Sequence, residues 1–207
     1  QQHRYGGLTL TRENIKNKWN NIYINQNHVE YAPAAVLADN TCLLPEVGTA
    51  LDLACGLGGN ALLLAKKGLQ TSAWDISSVA IEQLALISAS QQKVIDAQVV
   101  NVTPAIFSPH SFDVIVVSRY LDRIINEAIL LALKPGGLLF YQTFNINKVS
   151  PVGPKNPDYL LRDNELLEIF APLDVVYYRN NAAIGDTTEG FRNEAQFIGQ
   201  KPKSSES

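Results

Sequence analysis

The stretch Leu51-Asp52-Leu53-Ala54-Cys55-Gly56-Leu57-Gly58-Gly59-Asn60-Ala61 decides the fold. An apolar run with one acid, Ala50 to Ala54, reads as a short strand. The glycines after it mark a tight turn, and Ala61 to Lys67 reads as a helix that stops at Gly68. Gly56 and Gly58 remove side chains, so backbone can approach a ligand. Asn60 stands where the helix begins and its N–H groups are unpaired. A strand, glycine turn and helix of this kind is the usual ligand cradle of an open α/β sheet.

Outward from it, strands and helices alternate. Gln70 to Trp74 is a second strand closed by Asp75, and Ser77 or Ser78 caps a helix with Ala80, Leu84 and Ile87 on one face. Ala97 to Val100 is a third strand, and Phe112 to Val117 a fourth, apolar enough to be buried on both faces. Asp122 to Leu133 is a helix, Lys134-Pro-Gly-Gly137 a turn, and Leu138 to Gln142 a fifth strand. The pattern predicts parallel pairing with right-handed crossovers. Further on, Leu160 to Phe170 reads as a helix and Val175 to Arg179 as a strand. Phe191 to Gly199 alternates, which suggests a final hairpin with one antiparallel strand. The expected fold is α/β: a Rossmann-like, seven-stranded, mostly parallel sheet with helices on both faces and an antiparallel C-terminal strand.

At the other end, residues 1–10 read as a loose arm. Thr11 caps a helix from Arg12 to Tyr23 that carries Trp19 and Tyr23, and Ala34 to Ala38 is a second short helix. The organisation expected is one domain over residues 1–200, with an N-terminal helical lid at about 11–40 and a disordered tail at 201–207.

Composition narrows the class. A net charge of -3 and the lack of a basic run speak against a nucleic-acid partner. No apolar run reaches the roughly 18 residues of a membrane helix, so no membrane partner is expected. With two cysteines, Cys42 and Cys55, and no apolar leader, the expectation is reduced thiols in a cytoplasmic protein, monomer or dimer. His3, His28 and His110 are scattered and no Cys/His cluster exists, so no metal is expected. His28 could lie near the mouth of a site.

Glycines alone do not name a ligand, since Gly56-Leu-Gly58-Gly-Asn-Ala61 also fits a dinucleotide fingerprint. Asp52 is a poor neighbour for a pyrophosphate and a good one for an amine or sulfonium. Asp75, nineteen positions after Gly56, can accept both hydroxyls of a ribose, which serves either cofactor.

With these residues in place, Leu51 to Ala65 resembles the first motif of class I S-adenosylmethionine (SAM)-dependent methyltransferases, and Thr71-Ser-Ala-Trp-Asp75 the second. Ser111 to Val117 and Leu133 to Phe140 resemble the fourth and fifth strand motifs. The Gly-x-Gly-x-Asn ending and the Ala-Trp-Asp strand end are similar to the tellurite-resistance (TehB-like) and thiopurine-methyltransferase-like branch. The resemblance spans Lys18 to Lys201. It implies SAM as cofactor, with Asp52, Ala54, Gly56 and Gly58 around the methionine portion and Ser118 facing that end. It further implies Asp75 on the ribose, Ile76 against the adenine and Asn101 on the adenine amino group. Two positions depart from the pattern: many relatives carry Arg at Gly59, and an acid at Asn101.

The resemblance implies a methyl acceptor that is a small molecule or ion, with no catalytic side chain required because positioning suffices. Arg119 and Tyr120, after the fourth strand, are the candidate acceptor contacts. Thr143, Phe144 and Asn145 follow the fifth strand as weaker candidates. Trp19 and Tyr23 are candidates as a lid over SAM and as further acceptor contacts. The loop from Asn180 to Gly190 is expected to border the site, and Arg192 and Glu194 to form a cross-strand pair. Two alternatives stay open: a SAM-binding module without turnover, and an NAD-type Rossmann oxidoreductase.

Overall fold

The computed structural model describes the backbone of residues 3–5, 8–25 and 31–203, and the side chains of residues 11–25 and 31–203. His28 and the tail from 204 onward lie outside the described residues. The chain opens with β1 (His3–Tyr5) and β2 (Leu8–Leu10), an antiparallel pair where a loose arm was expected. Helix α1 (Arg12–Ile24) follows, and Thr11 Oγ1 accepts from the Asn14 amide as its cap. Next come α2 (Ala35–Ala38), β3 (Thr49–Leu53), α3 (Gly59–Lys66), β4 (Gln70–Asp75), α4 (Ser78–Ser90) and β5 (Ile95–Val99). Ser77 caps α4 by accepting from the Ala80 amide. The second half holds β6 (Phe112–Ser118), α5 (Asn126–Ala132), β7 (Leu133–Phe144), α6 (Glu165–Ile169), β8 (Asp174–Arg179) and β9 (Glu194–Gln200).

Seven strands form one sheet in the order β5-β4-β3-β6-β7-β9-β8. Strands β3 to β7 pair in parallel, while β9 runs antiparallel to both β7 and β8. This is the Rossmann-like sheet the alternation predicts. The chain moves outward from β3 through β4 to β5, then returns to β6 on β3's other side. The strand order therefore reverses between β3 and β6, and a crevice opens at their carboxyl ends.

The two-residue side-chain period sorts each strand between two helical layers. Val114 and Val116 of β6 face one core with Ala50, Leu64 of α3 and Val36 and Leu37 of α2. Ile115 and Val117 face the other with Ile125, Ile129 of α5 and Leu166 of α6. Both layers are well filled: Phe140, Tyr141, Phe170 and Phe197 are fully buried. Truncating any of these rings to Ala would cost roughly 3–5 kcal/mol.

Three elements differ from their sequence reading. Lys134 to Gly137 is not a turn before a strand but a bulge within β7, since Leu133 pairs with Phe112 and Leu138 with Val114. The expected helix from Leu160 to Phe170 shrinks to Glu165–Ile169. Its front half is extended instead: the Leu161 amide donates to Phe144 O and Ile146 donates to Leu161 O. The helix expected from Asp122 begins as a 3-10 turn, Arg123–Ile125, before α5. Lys201, expected in the tail, is tied to the sheet: its amide donates to Gly137 O and its ammonium to Leu130 O and Leu133 O.

Candidate active site

Every second residue of the loop after β3 is left-handed: Ala54 (φ 53°), Gly56 (φ 52°) and Gly58 (φ 78°). For Ala54 this conformation costs about 1–2 kcal/mol, so the surroundings must hold it in place. The Gly58 amide closes on Cys55 O at 2.8 Å, and Cys55 donates its own amide to Trp74 O at 3.0 Å. Asp75, at the end of β4, accepts from the Gly56 amide at 2.9 Å through Oδ2 and from the Ser77 amide at 2.8 Å through Oδ1. These bonds fasten the loop to the neighbouring strand. Each carboxylate oxygen keeps a further lone pair, so Asp75 can still accept two donors from a ligand. Burial raises its pKa, against the lowering by the Ser77 and Gly56 amides.

Asp52 differs from expectation. It is fully buried and is not part of the cavity wall. It shares its side of the strand with Ala50, so it points toward the α2–α3 layer rather than out of the strand end. There it accepts from the Ala61 amide at 3.0 Å and from Asn60 Nδ2 at 3.2 Å. Burial pushes its pKa from 3.8 up to about 7, the two hydrogen bonds opposing and Asp75 adding. Asn60 also donates to Ser118 Oγ at 3.0 Å and accepts from the Ala34 amide at 2.8 Å. Asp52 thus sets Asn60, and Asn60 joins the end of β6 to the N-terminal segment.

Above the loop lies a cavity of about 740 Å³. Ala54, Gly56, Gly58, Asp75, Ile76, Asn101 and Ser118, all singled out from sequence, line it. So do Arg119, Tyr120, Trp19, Tyr23, Thr143 and Phe144. Asn145 is buried off the wall, and no residue of 180–190 reaches it. Arg192 does not pair with Glu194: it donates to the carbonyls of Ala182, Ile184 and Asp186. Glu194 instead receives Arg119 Nε at 3.0 Å and Gln142 Nε2 at 2.5 Å. His110 sits in a turn and meets Leu133 O at 3.3 Å through Nδ1, away from the cavity.

Sequence reasoning missed the outer wall. Gly153, Pro154, Asp158 and Tyr159 line it, in a stretch without periodicity. Asp158 and Tyr159 are placed by Arg123, which donates to Glu165 Oε1 at 2.6 Å, to Asp158 O at 2.6 Å and to Leu160 O at 3.1 Å, while Lys148 Nζ donates to Pro154 O at 2.7 Å. Against the upward push of burial, Arg123 and the Arg162 amide hold the Glu165 pKa low. Arg123, between Asp122 and Ile124, was the available signal, but its partner lies 42 residues away.

Helix α1 roofs the cavity with Ile15, Lys18, Trp19, Ile22 and Tyr23, spaced three and four apart on one face. Asn20, beside that face, is clasped to α4: its Oδ1 accepts from Ser77 Oγ at 2.7 Å and its Nδ2 donates to Ser78 Oγ at 3.4 Å. The Tyr23 hydroxyl stands over Gly56, where an added Cβ would lie 2.8 Å from it. Gly59 is equally constrained, since a Cβ there would lie 2.4 Å from Ala32 O. The Arg of many relatives has no room at this position while the Tyr31–Ala32 backbone crosses it.

Among the described residues, no group of His, Cys, Asp and Glu could hold a metal ion. No described helix is long and apolar enough to cross a membrane.

The chain is similar to known proteins in sequence and in fold. The chain is 32% identical over 103 residues to a ubiquinone biosynthesis O-methyltransferase of Idiomarina loihiensis, an alignment covering 47% of this chain and 42% of that protein. The chain spans less than half the length of the curated relatives it matches, 42% and 48%. Its fold is similar to TehB from Haemophilus influenzae, with TM-score 0.67 and 19% identity over 88% of this chain and 67% of that one. It is also similar in fold to the [4+2]-cyclase SpnF, with TM-score 0.70 and 16% identity over 94% and 97%. Residues 26–174, most of the sheet with its glycine loop, match the family described as Methyltransferase domain, and the chain belongs to that family.

Proposed function

We propose that the protein binds SAM and transfers its methyl group to a small molecule. One observation carries this reading: beside the glycine loop the cavity presents the Asp75 carboxylate, and the loop itself supplies no cation. The Tyr23 hydroxyl above Gly56 has its pKa raised by burial first, with the nearby Asp75 adding to it. Residues 54–60 contain no cation. A pyrophosphate would meet repulsion there, whereas a ligand with an ammonium and a sulfonium is attracted.

The residues present fit such a cofactor. The left-handed positions Ala54, Gly56 and Gly58 give close approach of backbone, and Asp75 has acceptor capacity left for two ribose hydroxyls. Ile76, Val100 and Val102 give apolar wall beside Asn101 for a base. Ser118 and Asn60 border the opposite end. When bound, SAM supplies a methyl group already activated on a sulfonium. The chain's own contribution is to hold the reactants and exclude water, with α1 closed over the mouth. Such positioning is worth about 7–11 kcal/mol at best. Asp52 acts from beneath, through Asn60, rather than by touching the ligand.

Calorimetric titration with S-adenosylhomocysteine (SAH), SAM and NADH tests this. SAH and SAM are expected to bind and NADH not to; binding of NADH without SAH would sink the reading. Tight SAM binding with no methyl transfer across thiols, phenols, amines and selenium or tellurium oxyanions would favour a non-catalytic module instead.

A further inference from the structure

Helix α1 has no buried residue, although five of its side chains, Ile15, Lys18, Trp19, Ile22 and Tyr23, share one face. That face looks into the cavity. An amphipathic helix ordinarily settles its apolar stripe on a core. Here the stripe is held above open volume, by the Asn20 clasp at its edge. The wall across from it is of the same kind. Tyr120, Phe144 and Tyr159 line the cavity with Leu121 and Ile124. Trp19 and Tyr23 are stacked, with centroids 6.1 Å apart and planes 28° apart.

The charges point the same way. Each arginine of the wall is matched by a buried carboxylate, Arg119 by Glu194 at 3.0 Å and Arg123 by Glu165 at 2.6 Å. Lys18 sits over the Trp19 ring, 5.6 Å from its centroid. Asp122 and Asp158 line the cavity as well. The wall therefore carries no excess of positive charge for an oxyanion. The cavity of about 740 Å³ is shared with the cofactor end, so what decides for the acceptor is the lining beyond the glycine loop, which is aromatic and apolar.

Resting on the methyltransferase reading of this cavity, we propose that the acceptor is an extended, uncharged aromatic molecule. Its rings fill the space between the α1 roof and the Phe144–Tyr159 wall. The ligand then completes the core that α1 lacks, and aromatic faces provide the contact. Arg123 and Glu165 fix the backbone of Asp158 and Leu160, so Tyr159 is presented on a rigid wall. Phe144 is confined likewise, because Gly153 packs against its ring so closely that a Cβ would lie 2.5 Å away.

The experiment is saturation-transfer NMR on the full chain with 2-naphthol as probe, with and without SAH, and with sodium selenite as competitor. The 2-naphthol signal is expected in the presence of SAH and is expected to survive selenite. Trp19→Ala and Tyr159→Ala, on opposite walls, should each weaken 2-naphthol about tenfold through lost ring contact and apolar area. SAH affinity of Tyr159→Ala should stay within about threefold, a fraction of a kcal/mol. Absence of 2-naphthol binding both with and without SAH, displacement by selenite, or unchanged affinity in both variants would overturn the proposal. Failure of SAH to bind would strike the cofactor reading, while the 2-naphthol arm without SAH still judges the aromatic one.

Discussion

The floor and the roof of the cavity are built on opposite principles. The floor is made of strand ends locked by backbone: Asp75 holds Gly56 and Ser77, and Asp52 holds Ala61 and Asn60. Its groups are buried and its geometry is fixed by the sheet. The roof is a helix with no buried residue, joined to the body largely by side chains such as Asn20. A rigid floor suits a cofactor whose shape does not vary. A roof held by few contacts belongs to the low-stability end of a structure, where lids are found. Changes to the floor should therefore cost stability and cofactor affinity together, and changes to the roof should cost affinity alone.

The largest effect expected is at Asp75. Asp75→Ala removes charge-assisted bonds of about 1.5–3 kcal/mol each, so SAH affinity should fall at least tenfold in a calorimetric titration. Unchanged affinity would mean that the nucleoside end lies elsewhere. Next is pH. Asp52 rises from 3.8 to about 7 on folding, and Asp75 is raised too. The folded state thus holds protons that the unfolded state has released, and this contribution to stability is present below about 4 and lost as pH rises through about 7. Thermal melts should show stability falling from pH 5 to pH 8 by on the order of a few kcal/mol. The lowered pKa values of Asp113 and Glu165 act below this window, where their stabilisation is lost as pH falls. Asp52→Asn should flatten the slope; an identical slope in that variant would assign it to other groups.

Gly58→Ala should be smaller, roughly 1–3 kcal/mol of unfolding free energy, from its left-handed backbone and from the Leu84 methyl 2.4 Å from the added carbon. Urea unfolding would measure it. The smallest effect is the clasp. Asn20→Ala removes hydrogen bonds worth about 0.5–1.5 kcal/mol each, so SAH should dissociate several-fold faster with little change in melting temperature. A large drop in melting temperature would show that α1 is part of the core after all and would erase the contrast between floor and roof.

The same contrast explains what was legible in the sequence. Strands β3 to β7 alternate with helices and turn signals, and Gly56, Asp75 and Ser118 stand at or just after the strand ends that face the cavity. Those positions could be read locally. Asp52 could be read as an acid on the strand, but not by which face it leaves; the register with Ala50 turns it inward. Gly59 reads as a departure from its relatives until the Ala32 carbonyl is seen above it. The wall at Asp158 and Tyr159 was not legible, since its place depends on the distant pair of Arg123 and Glu165. Likewise the pairing of Arg119 with Glu194 spans 75 positions and crosses from β6 to β9.

The most direct test is a crystal structure with SAH bound. Both ribose hydroxyls are expected within hydrogen-bond distance of the Asp75 carboxylate, with Asp52 touching Asn60 and Ala61 but no ligand atom. A ribose placed away from Asp75, or a ligand amine seated directly on Asp52, would contradict this placement.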